Sequence, residues 1–557
     1  MEELTKAQKG RIAIRTFKTT TDALALRGYY KPSGRSGQTL EESLKALSPE
    51  IYGTMNDQRI IELKGLEYVM DRLPKGIESC SRIILTAEEN FDNTAFEKII
   101  PSKRRRSSYR VSEKEMSFTI TRGMSEIYDI LTHLTFLNIE AHKIKNQMKD
   151  ETGEITSEWE LLEKHADNEK LQGTELDRAL WNLGMILGRT FNETRETYHN
   201  MENARGKDGT SNGLFKIICS LGNRAFKDAT VKEDMLLISF TPSLRDLIGR
   251  HKYGRAWAEL IKGRLYNLGI NDRPIHIISA NMHSVMNSIY SYAALKSEAA
   301  TQDKNFYDFI SSTRGYGDTV KEYALGHGLT EILDDSGFYI DCQIIDTALI
   351  NGIPLHPDIN INSNAEEKPV IIVMDYAFGS QAYEVMEELL SPYHHNDELI
   401  YLNYQSISIM GKAGILPGQK GDIMLATAHI FEGNPHNYIV NNDLTKDDFE
   451  GSIPVYTGPI VTVLGTSLQN RDVLERFQTT SWKAIGLEME GGHYHRAISA
   501  SIIRGHIPAK TKVRYAYYAS DNPLISGQTL SSGPLGEEGI KPTYMITKII
   551  LEKIFIE

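Results

Sequence analysis

The sequence predicts a mainly α-helical domain over about 1–269, followed by an α/β domain over about 270–557. Three observations predict it. In 116–147, Ile127, Ile130, Leu131, Leu134, Leu137 and Ile139 recur at helical spacing with charges between them, the stripe of a core-facing helix. Near Arg273 the pattern changes to short apolar runs, 274–280 and 369–374, each leading into a helical pattern, over 282–295 and up to Leu390. Finally, two strand ends within 483–524 carry carboxylates.

In the first part, 159–170 and 175–200 read as further helices, and 205–213 is a loop by composition. The basic run Lys103-Arg104-Arg105-Arg106, with Tyr109 and Arg110, reads as a solvated loop rather than a phosphate patch, because the acidic chain has no other basic cluster. In the second part, 318–333 is a helical pattern containing Gly326-His327-Gly328, and 338–355 alternates like a hairpin turning at Asn351-Gly352. A polar connection, 362–368, precedes the buried parallel strand 369–374. Gly379-Ser380 then opens a helix, where backbone N–H groups can hold an anion. Strand 406–410 leads into Gly411-Lys412-Ala413-Gly414, read as a glycine loop in which Lys412 supplies a point charge. Gly527, Gly533, Gly536 and Gly539 punctuate a mobile loop over 525–540, and 543–555 is an amphipathic closing helix. His394, His395, His493 and His495 lack cysteine partners and read as surface or core histidines, not metal ligands.

Within 483–524, Ala484 to Leu487 has the apolar character of a strand end, and Gly491 and Gly492 allow a tight turn into the helical pattern 493–503. Glu488 and Glu490 therefore stand at a strand-to-helix junction. The Val- and Tyr-rich run 513–519 is a strand entering the turn Ser520-Asp521-Asn522-Pro523, so Asp521 stands at a strand's carboxyl end, where α/β sheets collect ligands. Carboxylates at two such ends suit glycosidic cleavage: one holds sugar hydroxyls while another protonates the leaving group.

Glu488-Met489-Glu490 followed by Ser520-Asp521 resembles the signature of the purine nucleoside phosphorylase and nucleosidase superfamily. Within that superfamily, Ser520-Asp521-Asn522-Pro523-Leu524 and Gly411-Lys412-Ala413-Gly414 look closest to the AMP nucleosidases. The resemblance implies a phosphorylase-like domain, a mixed central sheet flanked by helices. It implies hydrolysis of the N-glycosidic bond of a purine nucleotide or nucleoside, AMP giving adenine and ribose 5-phosphate; the alternatives are a phosphate-dependent phosphorylase and a non-catalytic purine-nucleotide sensor. Residue by residue, Asp521 would protonate N7 of the base with Ser520 orienting it. Glu490 would accept the ribose hydroxyls, Met489 would pack on the sugar, and Glu488 would face base or ribose. Gly411, Lys412, Gly414, Gly379 and Ser380 would line the anion end, for a 5′-phosphate or inorganic phosphate. No cofactor or metal is implied, and a homo-oligomer is. Two departures stand out: none of Asn281, His283 and Ser284 is acidic where a water-activating carboxylate often stands, and Phe431 replaces an arginine.

A chain of 557 residues suggests two or three domains, and 40% hydrophobic with 24% charged residues is ordinary for a soluble globular protein. A net charge of −12 argues against a nucleic-acid or anionic-membrane binder. Cys80, Cys219 and Cys342 have no paired spacing, so neither disulfides nor a zinc site are expected. Without a secretory pattern at the start or a bilayer-length apolar run, the sequence reading is cytoplasmic.

Overall fold

The structure, a computed structural model, describes residues 4–87, 90–166, 171–208, 212–231, 235–295, 304–361, 367–525 and 536–556. By contact the chain forms two units, Met1–Arg250 with Ser467–Val473, and His251–Thr466 with Leu474–Glu557. The helix Lys252–Asn267 thus belongs with the second unit, where Lys262 donates to the carbonyls of Glu388 and Ser391.

The first unit is rich in helix, as read, but also holds a six-stranded sheet that the mainly helical reading did not include. Its order is β1 (Tyr29–Tyr30), β6 (Leu237–Phe240), β2 (Arg82–Thr86), β5 (Glu115–Thr119), β4 (Ser107–Ser112), β3 (Glu97–Ile99). Strand β5 occupies the front of the run read as one helix, and the helix proper is Gly123–Gln147. Met116 to Thr119 are all buried, so this strand shows no alternation that would set it apart from a helix. The six apolar residues of the helical stripe are buried as expected. The helix read over 175–200 is two, Gly173–Leu187 and Phe191–Asp208, so the first four residues of the loop predicted over 205–213 are helical, and 209–211 lie outside the described residues. Gly188 makes the break: it sits at φ 64, and a Cβ there would overlap the Arg59 carbonyl.

The basic run is solvated only in part: Lys103 and Arg105 are exposed, whereas Arg104 and Arg106 turn inward. Arg104 grips Asp129 with Nε and Nη2, each at 3.1 Å, and the fully buried Arg106 guanidinium also bonds Asp129. A single sequence could not show this, because the partner carboxylate lies on the distant helix Gly123–Gln147.

The second unit is built on a ten-stranded mixed sheet. Its path runs β15 (Asn437–Ile439), β14 (Ile423–Phe431), β16 (Val455–Thr462), β17 (Gly486–Glu488), β13 (Tyr404–Ile415), β7 (Ile275–Ser279), β10 (Val370–Met374), β9 (Cys342–Asp346), β8 (Leu329–Ile332). The tenth strand, β18 (Lys512–Asp521), pairs with both β13 and β14, so β13, β18, β14, β16 and β17 close into a ring. Closure leaves those five strands without a free edge. A separate hairpin joins β11 (Tyr393–His395) to β12 (Glu398–Ile400). Every residue of β7 and β10 is buried, as continuous apolar runs predict, and the two are parallel. Helices Ser284–Ala294 and Glu537–Ile556 pack on the sheet through Ile289, Ile546 and Ile550.

Two local readings change. The helix read over 318–333 ends at Leu325, and Gly328, at φ 93, turns the chain into β8. The expected hairpin at 338–355 does not form; β9 pairs back with β8 and forward with β10, and Thr347–Ile350 is a short 3₁₀ turn. Most of the predicted mobile loop, with Gly527 and Gly533, and most of the connection at 362 lie outside the described residues. Among the described residues no helix is long and apolar enough to cross a membrane.

Because Asp129 is the shared partner of two guanidinium groups, Asp129→Ala removes the carboxylate that pairs them, leaving Arg106 the longer 4.0 Å pair with Glu126, and should cost about 3–5 kcal/mol in denaturant unfolding. Arg59→Ala, which breaks the exposed pair with Asp57, should leave the denaturation midpoint unchanged.

Candidate active site

The carboxyl ends of β17 and β18 meet on β13. In the ladders Gly414 pairs with Leu487 on one side and with Asp521 on the other. With strands about 4.8 Å apart, the two carboxylate-bearing ends lie on the order of 10 Å from each other. Glu488, Met489 and Glu490, which follow Leu487, and Ser520 and Asp521 therefore flank one stretch of β13 from its two sides.

Glu488 does structural work there. Its Oε1 accepts from Thr462 Oγ1 at 2.5 Å, and its Oε2 accepts the backbone N–H groups of Glu490, at 2.5 Å, and of Gly491. His429 Nδ1 stands 3.5 Å from Oε1. Burial would raise the Glu488 carboxyl, but His429, Thr462 and the Gly491 amide hold it below the ordinary glutamate value. Both oxygens are thus engaged by the protein, so Glu488 fixes the turn instead of facing a ligand. Gly491 allows this closeness: a Cβ there would overlap the Tyr517 hydroxyl and stand 2.6 Å from His429 Cε1.

The turn carries Glu490 at the N-cap of the helix Gly491–Ile503. Its Oε1 accepts the Gly379 N–H at 3.0 Å. Burial first, then the fixed negative charge of Glu488, push its carboxyl up to about 8, against the Gly379 and Met489 N–H groups. Such a group changes charge near neutrality. Met489 beside it is half-buried. Gly379 and Ser380 precede the helix Gln381–Leu390, as predicted, but the Gly379 N–H serves an anion of the protein itself, Glu490.

At the other strand end, Ser520 Oγ donates to Asp521 Oδ1 at 2.6 Å, and both residues are buried. Asn522 pins the turn by donating to the carbonyls of Leu416, at 3.1 Å, and Gly418, at 2.9 Å. Gly421 and Asp422 hold the strand from the far side, through backbone bonds to Ala519 of 2.9 and 2.7 Å.

Gly411, Lys412 and Gly414 lie inside β13 and form no glycine loop. The strand continues because Gly411 to Ala413 pair in register with Tyr517 to Ala519. At Gly411 the close neighbour is the Tyr376 ring, 3.3 Å from where a Cβ would be. Burial lowers the Lys412 ammonium, and the negative charge of Asp521 works against that shift. Phe431 packs edge-on against His493, ring centres 4.9 Å apart, beside Gly492. His495 is held between the Tyr515 hydroxyl at 3.2 Å and the Ile439 carbonyl at 3.0 Å. Thr462, His429, Tyr376 and Tyr517 escaped the sequence reading; for Thr462, His429 and Tyr517 the signal was a polar residue inside an apolar strand, which carries no address for its partner, and Tyr376 lies just beyond β10.

Folding favours the protonated form of Glu490, since its folded value of about 8 lies above the ordinary 4.5. Its contribution to stability is present below the lower value and is lost as pH rises through the higher. Glu490→Gln should therefore melt above the unsubstituted protein at pH about 8, and the gap should close by pH about 4. Gly491→Ala, which forces a methyl between Tyr517 and His429, should cost about 1–3 kcal/mol in urea unfolding.

Half of the chain aligns with solved nucleosidases and phosphorylases. The 5′-methylthioadenosine/S-adenosyl homocysteine nucleosidase of Campylobacter jejuni matches at 12% identity and TM-score 0.30, covering 51% of this chain and 100% of that one. Futalosine hydrolase of Helicobacter pylori matches at 13% and 0.29, covering 51% and 98%. Uridine phosphorylase isoform 2 of Schistosoma mansoni matches at 12% and 0.29, covering 51% and 86%. No curated protein matches the sequence. A family model described as a family of unknown function (DUF6909) matches residues 38–310 and 303–556, nearly the whole chain, and the chain belongs to that family.

Proposed function

We propose that the second unit cleaves the N-glycosidic bond of a purine nucleoside or nucleotide by hydrolysis. The observation that carries this reading is the register of Gly414, which brings the Glu490 turn and Asp521 to opposite sides of one strand at one edge. A ribosyl purine placed across β13 would meet Asp521 at its base and Glu490 at its sugar. Asp521, oriented by Ser520, gives a proton to N7 as the C1′–N9 bond breaks. Glu490 takes hydrogen bonds from the ribose hydroxyls, and the positive charge developing on the sugar favours its ionised form. Glu488 acts through the turn, holding Glu490 in place.

Hydrolysis is preferred to phosphorolysis because the Gly379 N–H, the natural donor to an incoming phosphate, is already bonded to Glu490. The AMP preference rests on the likeness of Gly411-Lys412-Ala413-Gly414 to AMP nucleosidases. Phe431, which stands in place of an arginine and packs on His493, favours a substrate without a 5′-phosphate. Assembly into a homo-oligomer completes the proposal, to be read from light scattering.

Free-base release should be measured from AMP, adenosine, inosine and methylthioadenosine, each with and without phosphate. Base release independent of phosphate is expected, and Asp521→Asn should lower it by about 10²–10⁴-fold. Strict phosphate dependence would assign a phosphorylase, and saturable AMP binding without release would assign a sensor.

A further inference from the structure

Hydrolysis needs a group that takes a proton from the attacking water, and none of Asn281, His283 and Ser284 has a carboxylate. The neighbouring strand supplies one. We propose that Asp375 is the general base of the reaction; this rests on the hydrolase reading above.

Strands β7 and β10 are parallel with Met374 opposite Ser279, and Ala280 N–H donates to the Met374 carbonyl at 3.0 Å. Asp375 is therefore the first residue beyond the carboxyl edge of β10, level with the segment that the sequence reading searched in vain. Its backbone N–H donates to the Asp341 carbonyl at 2.9 Å, and its Oδ1 accepts the Tyr376 N–H at 2.8 Å, which fixes the carboxylate at the strand end. Four residues on, the same segment delivers the Gly379 N–H to Glu490. The Tyr494 hydroxyl, 3.2 Å from Ser279 Oγ, is raised by burial first and then by both Glu490 and Asp375. Asp375 thus shares one neighbourhood with Glu490, the residue assigned to the sugar.

The topology also separates it from the acid. β13 has β18, with Asp521, along one side, and β7 followed by β17 along the other. β10 lies beyond β7, so Asp375 and Asp521 stand on opposite sides of β13. A single displacement by water needs its base and its acid at separate places around the scissile bond, and strands on the two sides of β13 carry them separately. In that step the water oxygen bonds to C1′, and the C1′–N9 pair leaves with the purine. Asp521 gives its proton to N7, and the water proton passes to Asp375. Exchange with solvent restores both carboxyls.

The test begins with the unsubstituted protein on the nucleoside and nucleotide panel. If it releases base, Asp375→Asn, which keeps an acceptor for the Tyr376 N–H, should lower kcat by about 10²–10⁴-fold with KM within about threefold. Asp375→Ala should recover turnover with sodium azide, giving the ribosyl azide, since an anionic nucleophile needs no base. If the asparagine variant fails to fold by circular dichroism, Asp375→Ser is read in the same way. A variant with kcat within about threefold of the unsubstituted protein overturns the assignment while leaving the hydrolase reading intact. Absence of base release from the unsubstituted protein overturns the hydrolase reading and the assignment with it.

Discussion

The site depends on the carboxylate of Glu488. Sealed among Thr462, His429 and the amides of Glu490 and Gly491, it holds together the end of β17, the end of β16 and the first turn of a helix. A buried charge is tolerated only when its hydrogen-bonding capacity is met, and here strand and turn meet it together. Its second consequence is electrostatic. Added to burial, which is the larger cause, a charge fixed two residues away makes ionisation of Glu490 costly, and together they push its carboxyl up to about 8.

Ring closure of β13, β18, β14, β16 and β17 converts that local arrangement into a site. Two strands that end in carboxylates on either side of β13 cannot slide independently when each is also paired elsewhere, β17 with β16 and β18 with β14. Rigid support of this kind is what positioned acid and sugar-binding groups need. Tethers such as Asn522 to the carbonyls of Leu416 and Gly418 complete it on the Asp521 side.

The parts of this that the sequence revealed are those encoded locally. The strand-to-helix junction at Glu488 and Glu490, the strand ending at Asp521, the buried runs of β7 and β10 and the Gly379-Ser380 helix start all show themselves within a dozen residues. What stayed hidden involves partners far apart in the chain. Thr462 and His429 look like ordinary strand residues until pairing sets them against Glu488, and Arg104 and Arg106 look solvated until Asp129 is seen to meet them. Gly411 and Gly414 misled for a related reason: a glycine that lets a loop approach a ligand and one that lets strands crowd a tyrosine or a leucine are the same letter.

The most direct test of the account is a crystal structure with a purine C-nucleoside, whose base–sugar bond is carbon to carbon and resists cleavage. The account predicts the ligand across β13, with Asp521 at the base position equivalent to N7 and Glu490 on the ribose hydroxyls, while Glu488 keeps its bonds to Thr462 and Gly491. A ligand bound elsewhere, or one that draws Glu488 out of its contacts to touch the sugar, would contradict it.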